Sequence, residues 1–168
     1  MRNSFLVFTI RQARPEDDTI LGLVDAATWS DVASPALAPP AGTAFFADRT
    51  RPDDVLVAEV DGVVVGYAIL AQPIALPSHD HVLELRGLAV DPHQQGNGAG
   101  RGLLEAAVEE ARDRGARKLT LRVLGGNTRA RQLYDGCGFI VEGILRAEFF
   151  LVGRYVDDVL MARDLVSG

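Results

Sequence analysis

Residues Gln95-Gly96-Asn97-Gly98-Ala99-Gly100 form the stretch of sequence that decides the fold. They follow a predicted strand that ends at Val90 and open a predicted helix, whose apolar residues recur at helical spacing until Gly115. Unpaired backbone N–H groups and the positive end of the helix dipole therefore face one point. Because glycines let the backbone approach a phosphate closely, the stretch predicts an anion-binding turn. Close packing of the strand on the helix is the alternative interpretation.

Two common phosphate-binding loops fit this stretch badly. A P-loop ends in Gly-Lys-Ser/Thr, whereas Gly100 is followed by Arg101. A Rossmann turn needs the spacing Gly-x-Gly-x-x-Gly and an acidic residue at the end of the next strand. Here the glycines alternate, and the next predicted strand, from Lys118 to Arg122, is basic. Both loops are therefore disfavoured.

Length and composition predict one ordinary globular domain over residues 1–168. The chain has 48% hydrophobic and 24% charged residues, 17 of its residues are glycines, and no apolar run is long enough to cross a bilayer. Its single cysteine, Cys137, cannot form an internal disulfide, which favours a cytoplasmic protein. A net charge of −6 disfavours nucleic-acid binding and mildly favours a cationic partner. We therefore expect neither a nucleic-acid nor a membrane partner.

The hydrophobic pattern predicts an α+β domain with a mixed sheet. Asp61-Gly62 between two apolar runs predicts a tight hairpin, and Pro15 followed by acidic residues predicts a helix start. Residues 29–48 contain too many helix breakers for one regular helix, so short helical pieces and a mobile segment are expected there. The remaining predicted elements are strands at 8–13, 81–90, 118–124, about 138–150 and 155–163, and a short helix at 127–136.

A second pattern lies downstream of the glycine stretch: Asn127-x-x-Ala130-x-x-Leu133-Tyr134-x-x-x-Gly138-Phe139. Together with Gln95 to Gly100, which matches Gln/Arg-x-x-Gly-x-Gly/Ala, it resembles the two signatures of the GNAT superfamily of N-acetyltransferases. The resemblance implies a mixed, mostly antiparallel sheet of about seven strands with helices on both faces. It also implies a V-shaped splay between the two central parallel strands. The N-terminal third carries no comparable signature.

The resemblance further implies that acetyl-CoA is the acetyl donor. The pyrophosphate would lie over the backbone amides of residues 97–100, with Gln95 and Arg101 at its edges, and pantetheine would lie against residues 88–90. Backbone N–H groups would polarise the acetyl carbonyl as an oxyanion hole. The residues implied at the donor are Leu88, Ala89, Val90, Gln95, Gly96, Asn97, Gly98, Ala99, Gly100, Arg101, Asn127, Ala130 and Tyr134.

Two side chains are candidates for proton transfer. The family places the tyrosine of Leu-Tyr near the CoA sulfur as general acid, which implies that role for Tyr134; packing of its helix on the sheet is the alternative. Glu84 lies eleven residues before Gln95, where several family members have a general base, but it equally suits a solvent-facing strand position. Arg122 occupies the position where ribosomal-protein alanine acetyltransferases usually place an acidic base, so their mechanism does not transfer directly.

The acceptor is expected to be a primary amine on a protein N-terminus, a lysine or a small molecule. The last predicted hairpin resembles that of ribosomal-protein alanine and small-amine acetyltransferases, and a homodimer is compatible with the family. A catalytically weak acyl-CoA-binding regulatory module is the alternative function. His79 and His81 are interpreted as solvated, so no metal site is expected. Candidate acceptor-binding residues are Trp29, Phe45, Phe46, Glu148 and Tyr155.

Overall fold

The structure is a computed structural model that describes residues 7–47 and 49–166. Its strands and helices follow the predicted order closely. The strands are β1 Phe8–Gln12, β2 Val55–Val60, β3 Val63–Ala71, β4 Val82–Val90, β5 Lys118–Leu124, β6 Ile140–Leu151 and β7 Arg154–Asp164. The helices are α1 Asp18–Thr28, α2 Ala99–Asp113 and α3 Thr128–Gly136.

The seven strands are hydrogen-bonded in the order β1-β2-β3-β4-β5-β7-β6. The pair β4–β5 is parallel, and the pairs β1–β2, β2–β3, β5–β7 and β6–β7 are antiparallel. The predicted α+β class and the mixed, mostly antiparallel seven-stranded sheet are therefore confirmed. The parallel pairing joins Val82–Leu85 to Lys118–Leu121, and β4 continues beyond it to Val90. The V-shaped splay and the placement of helices on both faces stay predictions.

The described part of the chain divides into two compact units, and the first contains residues 7–28, 39–47, 49–69 and 87–107. Its hairpin turns at Asp61-Gly62, where both residues have positive φ angles of 51° and 78°, as the tight turn requires. Leu21 and Val24 of α1 pack against β2 and β3 in a core cluster that also contains Val55. At Gly66, an added Cβ would lie 2.7 Å from the backbone oxygen of Ala89, so only glycine permits this close approach.

A charged cluster secures the start of α1 in this first unit. Arg11 of β1 donates to Asp17 at 2.8 Å and to Glu59 of β2 at 2.6 Å. The buried Asp17 carboxylate also accepts the backbone N–H of Arg14 at 2.7 Å. The hydrogen bond from Arg11 is the main reason why the pKa of Asp17 lies below its ordinary value. This cluster therefore joins β1, β2 and the turn before α1.

The second unit contains residues 29–38, 70–86 and 108–166 of the described chain. Its strands pack around fully buried side chains, among them Leu119 and Leu121 of β5, Val159 of β7, and Phe139, which follows α3. The hairpin β6–β7 turns at Val152-Gly153. Strand β6 ends the strand order and is largely exposed to solvent.

The prediction for residues 29–48 is wrong in one respect. Turns and bends connect α1 to the short 3-10 turn at Pro52–Asp54, and no helix forms among the described residues 29–47. Prolines at 35, 39 and 40 remove backbone donors and restrict the preceding residues, which explains why no regular turn of helix is sustained. Asp48 lies outside the described residues.

Within the described part of the chain, no helix has the length and apolar character needed to cross a membrane.

Candidate active site

The glycine stretch connects β4 to α2 through a short 3-10 turn at Pro92–Gln94. The side-chain amide of Gln95 donates to the carbonyl oxygen of Val90 at 2.9 Å, and the Asp91 carboxylate accepts the N–H of His93 at 2.8 Å. These two contacts fix the end of β4 and the entry to the stretch. We call residues 95–100 the glycine loop.

Two glycines of this loop adopt backbone conformations that other residues rarely reach. Gly96 has a φ angle of 86° and Gly98 one of 89°. An added Cβ at Gly96 would meet no atom within 4 Å, and one at Gly98 would reach only Phe8 at 3.8 Å. The glycines therefore serve the backbone conformation rather than close packing, and space remains beside the loop.

The glycine loop presents hydrogen-bond donors at the N-terminus of α2. Among the described residues, the N–H groups of Gly98 and Gly100 have no hydrogen-bond partner. Asn97 caps the helix, since its Oδ1 accepts the N–H of Ala99 at 3.1 Å, while its buried Nδ2 has no partner. Available donors and the positive helix end are what a pyrophosphate requires, so the residues present fit that group.

The last residues of β4 before the loop are apolar. Val90 is buried, whereas Leu88 and Ala89 are partly accessible. Gly87 lies just before them, and an added Cβ there would press on Ile69 at 3.1 Å and Tyr67 at 3.3 Å. The three apolar residues thus form a partly accessible strand end without charge, which suits an uncharged arm such as pantetheine.

The second unit carries the motif that ends in Tyr134. Asn127 caps the start of α3, because its Oδ1 accepts the N–H of Ala130 at 3.2 Å. One helical turn later, Tyr134 is buried, with its ring 6.0 Å from that of Phe139. Burial raises the pKa of Tyr134 to about 12, so its phenol stays protonated at neutral pH. None of the described residues hydrogen-bonds the Tyr134 hydroxyl, which leaves it available as a proton donor.

Glu84 lines a cleft of about 330 Å³ in the second unit. The cleft lies between the turn at residues 33–35, β4 residues 84–86, the end of β5 with Arg122, and the hairpin residues Phe149 and Asp158. We call it the charged cleft. Arg86 donates from Nε to Glu84 at 3.3 Å, so the candidate base faces the cleft beside a guanidinium.

Arg122 forms an ion pair with Asp158 in the same cleft. Its Nε donates to Asp158 Oδ2 at 2.6 Å, and its Nη2 donates to the same oxygen. Asp158 is 2% exposed, so an unpaired carboxylate would be costly there. Arg122, which stands where ribosomal-protein alanine acetyltransferases usually have an acidic base, is therefore paired with Asp158. Sequence analysis singled out Arg122, but it missed Arg86, whose spacing of two from Glu84 on one strand was the available signal.

The predicted acceptor residues do not gather at the charged cleft. Phe45 packs its ring 4.8 Å from Tyr67 and, with Phe46, lies against the core of the first unit. Trp29 donates from Nε1 to the carbonyl oxygen of Ala36 at 3.0 Å. Tyr155 packs its ring at a tilt against Phe150 in the exposed hairpin, 5.0 Å between ring centroids, and Glu148 is exposed on the same hairpin. Their acceptor roles stay predictions.

A second cleft of about 360 Å³ lies at the start of β5 and contains none of the predicted site residues. Its walls include Arg117, Lys118 and Glu142.

His79 and His81 have their rings 6.2 Å apart. In the described part of the chain, no group of three or more histidine, cysteine or carboxylate side chains is arranged to hold a metal ion.

Comparison with known proteins defines the class. The sequence profile described as "Acetyltransferase (GNAT) family" matches residues 14–139, which include the glycine loop and Tyr134. This chain belongs to the GNAT acetyltransferase family, and the resemblance predicted from its two signatures is confirmed. It is an N-acetyltransferase whose co-substrate is acetyl-CoA.

Individual relatives are similar over most of the chain. Phosphinothricin N-acetyltransferase of Alcaligenes faecalis is 33% identical, with 76% of this chain and 72% of the relative aligned. L-amino acid N-acyltransferase MnaT of Escherichia coli K12 is 32% identical, with 85% and 81% aligned. The structure of a putative acetyltransferase from Salmonella typhimurium with its cofactor acetyl-CoA has a TM-score of 0.78 and 23% identity, covering 96% of each chain. That last similarity shows the shared fold.

Proposed function

We propose that this chain transfers the acetyl group of acetyl-CoA directly to a primary amine in a ternary complex, acting as a single-domain enzyme of the cytoplasm. The observation that carries the proposal is the glycine loop, where the N–H groups of Gly98 and Gly100 have no partner among the described residues. The acceptor amine belongs to a protein N-terminus, a lysine or a small molecule. The cytoplasmic location is supported by the single cysteine, Cys137, because a chain with one cysteine forms no internal disulfide and suits a reducing compartment.

Donor binding rests on the backbone of the loop. The amides of residues 97–100 hold the pyrophosphate, and Gln95 keeps the loop entry in place through its bond to Val90. Leu88, Ala89 and Val90 hold the pantetheine arm and supply backbone N–H donors to the acetyl carbonyl oxygen. The bound donor supplies an activated acyl group as a thioester.

Tyr134 acts as the general acid in this proposal. A thiolate leaving group needs a proton, and the reference pKa of a cysteine-like thiol is about 8.5. The pKa of about 12 keeps the Tyr134 phenol protonated across the physiological range, and its hydroxyl is not committed to a described partner. The side chain can therefore hydrogen-bond the departing sulfur without first losing another hydrogen bond. Because a thiol is the stronger acid, the raised pKa by itself opposes proton transfer, so the proposed role rests on the uncommitted hydroxyl and on the family motif.

Glu84 accepts the proton that the amine must lose, directly or through a water. A lysine-type amine has a reference pKa of about 10.4 and an α-amine one of about 7.7–8.0, so the first needs much more help from a base than the second. The position of Glu84 in the charged cleft supports this role, and its ion pair with Arg86 orients the carboxylate.

The relatives favour a small acceptor within the proposed range. The name of the Escherichia coli protein states that it acts on L-amino acids. A cleft of about 330 Å³ is at the lower end of the size range of small-molecule sites, and it suits one small molecule better than a folded protein surface. The exposed apolar side chains of edge strand β6, such as Ile140 and Phe150, support a homodimer.

The test is to incubate the protein with acetyl-CoA and a panel of amines while following thiol release. The panel contains amino acids, polyamines, lysine peptides and peptides with free N-termini. Acetyl transfer to at least one of them supports the proposal, and Glu84→Gln should then lower kcat most at low pH, where the amine is most protonated. CoA binding by calorimetry without turnover on any amine would favour the acyl-CoA-binding module instead.

A further inference from the structure

Two guanidinium groups enter the charged cleft from adjacent strands. Arg86 follows Leu85 on β4, Arg122 follows Leu121 on β5, and Leu85 and Leu121 are register partners in the parallel pair. Both arginines line the cleft, with side chains that are 38% and 48% exposed. Since neighbouring strands lie about 4.8 Å apart, the two side chains start within reach of one small ligand.

Each guanidinium keeps donors that the fold does not use. Arg86 gives Nε to Glu84, and Arg122 gives Nε and Nη2 to Asp158. Among the described residues, both Nη groups of Arg86 and Nη1 of Arg122 have no hydrogen-bond partner. Guanidinium N–H groups match the two oxygens of a carboxylate better than any other side-chain donors do.

From these two arginines we infer that the acceptor is an α-amino acid, held by its carboxylate on Arg86 and Arg122; the inference rests on the proposed acetyl transfer. The charged side chains of the cleft balance, since Arg86 and Arg122 face Glu84 and Asp158. A diamine or polyamine would bring further positive charge against two arginines. A zwitterion adds no net charge, and its two ends match the two signs present.

The same placement suits the chemistry. Binding the carboxylate on the arginines leaves the adjacent amine near Glu84, the candidate base in the cleft. Positive charges close to an amine favour its neutral form, which is the nucleophile. The remaining walls include the apolar side chains of Pro35, Leu124 and Phe149, so they favour an uncharged amino-acid side chain.

The experiment compares matched acceptors in the thiol-release assay. L-leucine, L-methionine and L-phenylalanine are each measured beside their amide and their decarboxylated amine. We expect the best acid to exceed its amide at least about 30-fold in kcat/KM, because only the acid satisfies the guanidinium donors. An amide or amine used as well as the acid, or turnover of peptides and polyamines only, overturns the inference but leaves acetyl transfer intact. Absence of turnover on every amine rejects the proposed function itself.

Variants test which residues hold the carboxylate. Arg86→Met keeps the apolar stem and should raise KM for the acid about 10-fold while leaving KM for the amide nearly unchanged; kcat should fall equally for both acceptors, because Glu84 loses its ion pair. Arg117→Met, at the other end of β5, is the matched control and should change neither KM. If Arg86→Met fails to fold, Arg86→Lys and Arg122→Lys, which keeps a positive charge beside Asp158, provide the same comparison. Equal KM changes for acid and amide would overturn the assignment, as would no change in either arginine variant.

Discussion

The glycine loop and the charged cleft recognise ligands by different means. The loop offers mainly backbone N–H groups held by two glycines at positive φ angles, with Asn97 as its one side-chain donor without a described partner. The cleft offers four charged side chains on β4, β5 and β7, which single substitutions could replace. The loop thus suits a donor common to a whole family, whereas the cleft suits an acceptor that differs from one member to the next.

The largest effect should come from blocking the loop. Gly98→Glu introduces a side chain where φ is 89° and places a carboxylate beside the proposed pyrophosphate position. We expect CoA affinity to fall at least about 100-fold in calorimetry, because backbone strain and charge repulsion act together.

Gly115→Glu is the matched control for that variant. Gly115 has a φ angle of 84° and open space around it, but it lies after the C-terminus of α2. It should show a similar loss of thermal stability and normal CoA affinity. Equal CoA affinity in the two variants would contradict the donor role of the loop.

The next effect distinguishes two buried tyrosines. Tyr134→Phe should lower kcat about 10²- to 10⁴-fold, which is typical for loss of a general acid, with little loss of stability because no described bond is broken. Tyr67→Phe should behave in the opposite way. The Tyr67 hydroxyl donates to Asp25 at 2.6 Å, and its loss should cost about 1–3 kcal/mol of unfolding free energy while kcat is retained.

The pH dependence of the same pair follows from burial. Burial raises the pKa of Tyr134 to about 12, and burial together with Asp25 raises that of Tyr67 well above its ordinary range. The folded chain therefore favours the neutral phenols, and this stability is fully present below about pH 10 and is lost as the pH rises. Chemical denaturation between pH 9 and 12 should show a weaker alkaline loss for each phenylalanine variant. An unchanged profile would contradict the assignment.

How much could be predicted from sequence differs between these regions for a physical reason. The Asp61-Gly62 hairpin and the glycine loop are local: a few residues determine their backbone conformation, so spacing alone located them. Tyr134 could be located from sequence because its motif is contiguous along one short helix and the residues that follow it. The charged cleft required the register of β4 against β5, which places Arg86 near Arg122 across more than thirty residues of chain. Register cannot be read from either strand alone.

Residues 29–47 show the same limit in another form. Their prolines predicted irregularity correctly, but the turn at residues 33–35 lines the charged cleft, while Phe45 packs into the core of the first unit. Aromatic composition alone could not separate a pocket wall from a core position. Here tertiary packing, rather than propensity, decides which side chain meets a ligand.

An intermediate effect tests whether ion pairs outside the cleft contribute only to stability. Asp17→Asn should reduce the unfolding free energy by about 1–3 kcal/mol at pH 7, because Arg11 and the Arg14 N–H lose a charged partner. The pKa of Asp17 is lowered in the fold, so its contribution is present above its ordinary value and disappears as the pH falls. Urea denaturation at pH 7 and pH 3 should therefore show a smaller difference at pH 3. A changed acceptor KM in Asp17→Asn would contradict the view that this ion pair contributes to stability and not to acceptor binding.

The smallest effect isolates charge within the glycine loop. Asn97→Asp keeps an oxygen that can accept the Ala99 N–H, so the cap of α2 should survive and the unfolding temperature should not fall. The unpartnered Nδ2 donor is replaced by a carboxylate oxygen near the proposed pyrophosphate. CoA affinity should therefore drop about 10-fold, with a larger drop at low salt, because the repulsion is electrostatic and screened by ions. Acceptor KM should stay constant at saturating acetyl-CoA, and a rise in that KM would show that the loop and the cleft do not act as separate recognition elements.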